Sequence, residues 1–417
     1  MIFNRKIQIQ FTKEVQLVLD GQSKICNWLY NHLLEMVNQA YKESPEQTIL
    51  LKGRNLRNQV PILKKANLFL NTVYSSPLKN VAFRLKQAFD DFFKSKGEKG
   101  HPKFKSNKVR WFSLFYDEPN KGYKLIGKQL VLSLGKDNNH KQLRVTGTLC
   151  EAIKKRDGDL IKNFRLCKEH GKYYGIFCME RNQVDRKVGN TWISIDPNHK
   201  NFFVGIDHKG ESIEFEKLTI NQYFDSKIDH LKSKRDHCKK YSNRWKKRNQ
   251  ALDRLYHRRR EQIKSMCYTV SNYLAKHYDQ VVIGDYTPSL VTANQKTMHR
   301  SMLNQSIIGQ FRKICEWVMM RSGKQYLKID EYNTTKACCI CHHLEKKDPT
   351  IRDFICTNCH RQLSRDINSS VNIAKKANLL SGSDYDTWDL SQVSYTARWN
   401  YRKCKIQFAG YASQKVA

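Results

Sequence analysis

Residues 356–373 read CTNCHRQLSRDINSSVNI. The stretch opens on a C-x2-C pair, Cys356 and Cys359, and seven residues later Asp366 starts a helical pattern, DINSSVNIAKKA. A second C-x2-C pair, Cys338 and Cys341, lies fourteen residues upstream of the first. Two such knuckles supply four thiolates, the donor set of a tetrahedral zinc site. Four sulfurs complete the shell, so the metal is expected to be structural and any chemistry must come from elsewhere. Cys339 sits inside the first knuckle as a bystander, and His342, His343 and His360 are donors that a closed shell does not need. The competing reading is a redox pair, but neither pair stands at a strand-to-helix junction of thioredoxin type.

Working outward, two further acids end apolar strands: Asp196 in WISID and Asp285 in VVIGD. An acid at the end of a hydrophobic strand is costly to place idly, and it can point into a shared cleft. Asp196, Asp285 and Asp366 together could hold two divalent cations ~3.5–4 Å apart for phosphodiester hydrolysis. Oxygen ligands suit Mg2+ or Mn2+. Asn368 either assists them or satisfies backbone groups. The plain alternative is three ordinary surface acids.

The chain has 417 residues, 75 Lys and Arg against 39 Asp and Glu, and a formal net charge of +36. Its length suggests two to four domains with cores of their own. The charge points to a polyanionic partner, nucleic acid above all, although a ribosomal or membrane-surface protein would share it. No apolar run approaches the ~20 residues of a membrane span. MIFNRKIQIQFTKE reads as an amphipathic strand rather than a signal peptide, so an intracellular protein is expected. In a reducing compartment the eight cysteines outside the cluster are expected as small buried hydrophobes.

Residues 2–14 alternate as a strand, helical material follows at about 15–45, and a linker (KESPEQT) leads to further helices, the last at about 75–95. A basic loop, SKGEKGHPKFKSNK, precedes short strands over 111–184, which with the first strand suggest a small antiparallel barrel interrupted by helices. DRKVGN reads as a hinge. Beyond it the order strand, strand, long basic helical region (222–278), strand, helix (303–322), strand (YLKIDEYN) is an α/β arrangement. Leu231, Cys238, Trp245 and Leu252 recur every seven residues, which fits a packed helical hairpin. Within 231–260 there are 13 Lys and Arg and two Asp, a candidate phosphate-tracking face or simply a solvated one. The C-terminal segment from 377 is expected to be irregular, with WDLSQVSYTARWN packing back onto the body.

The order of Asp196, the strand acid near 285, the paired knuckles and the Asp366 segment resembles the transposon-encoded TnpB (OrfB) proteins, commonly called transposases. Their relatives are the Fanzor proteins and the small type V CRISPR effectors of the Cas12 group. The resemblance covers most of the chain and is strongest over 190–376. A G-I-D-x-G strand is matched by Ser194-Ile195-Asp196-Pro197-Asn198, and an R-D-x-N-A-A-x-N-I segment by Arg365 through Ile373, with Ser369 and Ser370 for the alanines. His342 and His360 stand where glycine usually follows each knuckle. The family's second acid is glutamate in a V-E-D-L-like segment. Against Val282-Ile283-Gly284-Asp285-Tyr286, one registration puts Asp285 in that place and the other puts Gly284 there. A one-residue shift in a strand moves the side chain to the other face.

The resemblance implies a multidomain protein. An oligonucleotide-binding-like wedge barrel would occupy 1–14 and 111–187, and an inserted helical recognition domain 15–110. A RuvC/RNase H-like nuclease domain would occupy 188–330 and 361–380, a four-cysteine zinc element for target nucleic acid 331–360, and a tail 381–417. It implies an RNA-guided DNA endonuclease with structural Zn2+, catalytic Mg2+ or Mn2+, a guide RNA, and double-stranded target DNA beside a short motif, in cytoplasm or nucleoid if the host is prokaryotic. The alternatives are a guided DNA binder that does not cut, and a zinc-containing RNA-binding or RNA-processing protein.

Overall fold

The computed structural model describes residues 1–43, 49–95, 98–106, 112–137, 139–182, 185, 189–198, 201–216, 220–285, 307–346, 351–380, 385 and 387–410. Most of the KESPEQT linker, part of the hinge and the start of the expected 303–322 helix lie outside them. The chain divides into two units, Met1–Asn182 and Gln183–Ala417.

In the first unit β1 (Ile2–Gln10) alternates Ile7 and Ile9, both buried, with polar neighbours, as a strand with one covered face requires. Three helices follow: α1 (Lys13–Glu43), α2 (Asn55–Ala66) and α3 (Ser75–Lys94). Leu19, Cys26, Leu29, Leu33 and Val37 recur three, four or seven residues apart and form the buried stripe of α1. Leu78, Val81, Ala82, Leu85 and Phe89 do the same on α3. Six strands then run from β2 (Ser113–Tyr116) through β3 (Tyr123–Ile126), β4 (Gln129–Lys136), β5 (Gln142–Leu149) and β6 (Leu160–Glu169) to β7 (Lys172–Glu180). They form one curled antiparallel sheet in the order β2-β6-β7-β1-β5-β4-β3. The first strand thus lies inside the sheet, paired with β7 over Ile2–Ile9 and with β5 at Ile9 and Gln10. Helix stripes and sheet share one core.

One buried acid closes this unit. The Asp159 side chain is 0% exposed and accepts from Arg181 Nε at 2.7 Å and Nη2 at 2.6 Å. These hydrogen bonds, above all, bring its carboxyl down to about 2.

The second unit is built on β8 (Trp192–Pro197), β9 (Phe203–Asp207), β10 (Ser212–Phe215), α4 (Ile220–Asp236), α5 (Asn243–His277), β11 (Gln280–Gly284), α6 (Ile308–Arg321) and β12 (Gln325–Ile329). A small hairpin, β13 (Asp353–Ile355) with β14 (Gln362–Ser364), leads into α7 (Arg365–Lys376), and β15 (Tyr395–Asn400) and β16 (Lys405–Ala409) follow. The sheet order is β12-β11-β8-β9-β10-β15-β16. β8, β9 and β10 are antiparallel; β11 and β12 run parallel to β8, and their crossovers carry helices, as parallel connections must. All six residues of β8 are buried. Ile193 and Ile195 pack with Met266, Val270, Phe311 and Val318 of the helices on one face. Val204 and Ile206 pack with Ile367 and Val371 of α7 on the other.

The sevenfold spacing in the basic region resolves into a hairpin, α4 packed on α5. Ser242 caps α5 by accepting from the Trp245 N–H at 3.2 Å, and Cys238 falls in the turn. The expected irregular C-terminus is corrected. Residues 395–409 are two strands of this same sheet, because β15 pairs in parallel with β10 and buries Tyr395, Ala397 and Trp399. Among the described residues no helix is long and apolar enough to cross a membrane.

Candidate metal centres

The four knuckle sulfurs of Cys338, Cys341, Cys356 and Cys359 lie within 4.8 Å of one another. Cys338 and Cys359 are 3.7 Å apart and Cys341 and Cys356 3.5 Å. Zn–S bonds of ~2.3 Å in a tetrahedron set sulfurs ~3.8 Å apart, so this donor set fits zinc. Both knuckles fold alike. The N–H of His342 donates to Cys338 O at 3.0 Å, and that of His360 to Cys356 O at 2.9 Å. Both histidines adopt left-handed backbone, φ 61° and 54°, which explains why glycine suits these positions. The Cys341 thiol is drawn down to about 6, first by a hydrogen bond from Asn358, which favours the thiolate a metal needs.

The knuckles are tied to α7 by amides. Asn368 is fully buried; its Oδ1 accepts the Cys339 N–H at 2.7 Å and its Nδ2 donates to Ala337 O at 2.8 Å. Asn372 donates to Thr334 O and Ala337 O, each at 2.8 Å. Of the two roles open to Asn368, the geometry shows backbone satisfaction, across elements rather than within its own helix. Ser370 Oγ donates to Val204 O at 3.0 Å, and Ser194 Oγ to Ser370 O at 2.7 Å, so the serine pair holds α7 on β8 and β9.

That packing carries Asp366 to the end of β8 where Asp196 lies. Asp196 pairs with Val204 and so shares the α7 face. It is 5% exposed, and its carboxyl is raised well above the usual range by burial first, then by the charges of Glu331 and Asp366, against a hydrogen bond with Ser369. Asp366 is 9% exposed and accepts from Arg352 Nη1 at 2.7 and 3.0 Å. Asn198 Nδ2 approaches it at 3.4 Å.

Glu331 was not singled out in the sequence. It follows β12, which pairs in parallel with β11, Gly284 opposite Ile329. A Cβ built on Gly284 would lie 1.8 Å from the Glu331 carboxylate oxygen Oε1. The glutamate therefore rests on the space that a side chain at Gly284 would fill. Ile283 pairs with Ile195, which makes Gly284 the neighbour of Asp196 at the ends of two parallel strands. Ile283 belongs to the helical-side core, and alternation carried one residue past Gly284 assigns Asp285 to that side too. Asp285 Oδ1 accepts the Glu331 N–H at 3.3 Å. The available signal for Glu331 was the glycine that one of the two registrations sets at the second acid's place, together with an unexplained acid just past the adjoining strand. Among the described residues, the sulfurs form the cluster whose donor atoms all meet within 4.8 Å; the carboxylates are spread more widely.

Residues 176–288 match the family model described as "Probable transposase" (OrfB_IS605), and residues 309–373 match that of the Cas12f1-like TNB domain. A solved Cas12f1–sgRNA–target DNA complex is similar in fold, with TM-score 0.59 and 13% identity, covering 88% of this chain and 83% of that one. CasPhi-2 (Cas12j) bound to crRNA follows at TM-score 0.47 and 9% identity, covering 90% and 98%; the likeness in fold rests on the first. No curated protein sequence matches the chain. The resemblance to the TnpB/OrfB and Cas12 families is thus found again in the matched stretch that carries Asp196 and in the one that carries Glu331 and Asp366.

Proposed function

We propose that this chain is an RNA-guided DNA endonuclease of the TnpB and Cas12 kind. The observation that carries the reading is Asp196: a carboxylate buried at the end of a central strand, beside the charges of Glu331 and Asp366. A carboxylate buried near like charges is costly without a cation, and such a site is where function is expected. We assign Asp196, Glu331 and Asp366 to hold Mg2+ or Mn2+, with Asp285 beside them supporting the Glu331 backbone. The metal would activate water and stabilise the leaving oxygen of a phosphodiester. Arg352 balances the charge of Asp366. The strand order β12-β11-β8-β9-β10, with three antiparallel strands and two parallel ones, supports a RuvC/RNase H-like reading of the second unit. The curled sheet of the first unit is read as the wedge with its helical insertion at 15–110, and 331–360 as the zinc element that addresses target nucleic acid. Guide pairing would read sequence, leaving the protein mainly backbone contacts and a short motif, in keeping with a +36 charge.

The test is to purify the protein with its RNA, sequence that RNA, and offer matching DNA with Mg2+. Cutting that D196N abolishes is expected. Intact DNA from a verified complex sinks the nuclease assignment. A second reading, guided binding without cutting, follows from the registration that sets Gly284 rather than Asp285 against the family's glutamate. Guide-dependent binding with no nicking even in Mn2+ would establish it.

A further inference from the structure

The turn between β15 and β16 places Tyr401 against Tyr223 in the first turn of α4, ring centroids 5.0 Å apart and planes at 33°. Tyr223 is 38% exposed, while Phe224 beside it is buried in the core and fixes the helix rotation that turns Tyr223 outward. Cations ring the pair. Lys227 Nζ donates to the Tyr223 hydroxyl at 2.6 Å and lies 4.0 Å from its ring centre. The Arg402 guanidinium is 5.9 Å from the Tyr401 ring. Arg402 and Arg258 of α5 also act on the Tyr223 phenol, which all three cations pull below its usual value, Lys227 most. The presentation is built: Asn400 Oδ1 accepts the N–H groups of Arg402 and Lys403 at 3.1 and 3.0 Å, which shapes the turn. Arg259 bonds Asp225 at 2.7 Å and holds α5 on α4.

We propose that Tyr223 and Tyr401 form a stacking platform for an unpaired nucleobase, with Lys227, Arg258 and Arg402 holding the flanking phosphates. Tyr401 is half-buried against the core and Tyr223 exposed; such rings alone would suit a protein partner, and cations alone would be a solvated face. Rings bordered by cations are the combination that single-stranded nucleic acid recruits. A second copy of this chain would bring the same cations to the same place and be repelled. The strand is either RNA or a DNA strand separated from its complement, and both offer the same base and phosphodiester. The proposal rests on the nucleic-acid part of the function above and is independent of cleavage.

The experiment uses the full chain carrying D366N, freed of co-purified RNA at high salt, in magnesium-free buffer, so cutting has no bearing on it. Labelled 20-nucleotide RNA, single-stranded DNA and duplex DNA are titrated, and iodouracil-substituted strands are photocrosslinked and mapped by mass spectrometry. Crosslinks at Tyr223 or Tyr401 are expected. Y223A/Y401A should bind single strands roughly 5–50-fold more weakly, and Y223F/Y401F, which keeps both rings and guards against misfolding, within twofold of the parent. R402Q should flatten the salt dependence. Whether RNA or single-stranded DNA crosslinks more identifies the source. Crosslinks confined to other residues, an alanine double variant that binds like the parent, or an abasic strand that binds as well as one with bases would overturn the platform.

Discussion

Asp159 and Asp196 are both carboxylates with almost no exposure, 7% and 5%, and their surroundings push them in opposite directions. Asp159 sits in a two-pronged guanidinium grip and is brought down to about 2. Asp196 sits among acids and is driven up, by burial before anything else. The first is a fastener: its ionised form is what the fold wants. The second is held at a cost, and that cost is what the proposed cation site rests on. Burial alone does not say which kind an acid is; the neighbours do.

The strongest way to break this contrast is to neutralise each acid in turn. D196N is expected to lower cleavage by roughly 10³-fold or more while leaving the metal-free melting temperature unchanged or higher. D159N should leave kcat alone and lower stability. E331Q against D285N sharpens the assignment within the cleft: E331Q is expected to match D196N, whereas D285N should stay within about tenfold of the parent. The reverse ranking would move the second acid to Asp285.

Removing the metal expected at the four cysteines comes next. C356S should release one zinc per chain, read with a chromophoric chelator, and lower the melting temperature of the second unit by about 10 °C, the order expected for loss of several kcal/mol. Unchanged melting would mean that the knuckles hold themselves.

A pH titration of stability distinguishes the two acids more gently. The depressed folded pKa of Asp159 means that its contribution is complete above the unfolded value near ~4 and fades as pH falls toward about 2. D159N is therefore expected to cost roughly 1–2 kcal/mol at pH 7 and almost nothing below pH ~2, measured by urea unfolding. The smallest effect belongs to the histidines after the knuckles. H342G or H360G relieves a left-handed backbone and should change stability by no more than about 1 kcal/mol, in the stabilising direction.

The four-cysteine cluster was legible because all four residues lie within 338–359 and their spacing alone declares it. Asp196 and Asp366 were legible as acids at element ends. Glu331 was not, because its place depends on β12 lying parallel to β11, a pairing that no local pattern encodes. The same holds for β15, whose partner β10 is remote in sequence. The question left open at Gly284 and Asp285 was a question of face, and local alternation could pose it but not answer it. The helices of the first unit were easier, since a stripe such as that of α1 repeats within one element.

The parallel pairing of β15 with β10 has a consequence for biosynthesis. β10 ends at Phe215 and β15 begins at Tyr395. A ribosome adding ~5–20 residues per second needs roughly 10–40 s to cover that interval. During that time β10 is an unpaired sheet edge, open to wrong partners. The second unit closes its sheet only after nearly all its other elements have left the ribosome, which makes this edge the place where slowed or truncated translation would first show itself as aggregation.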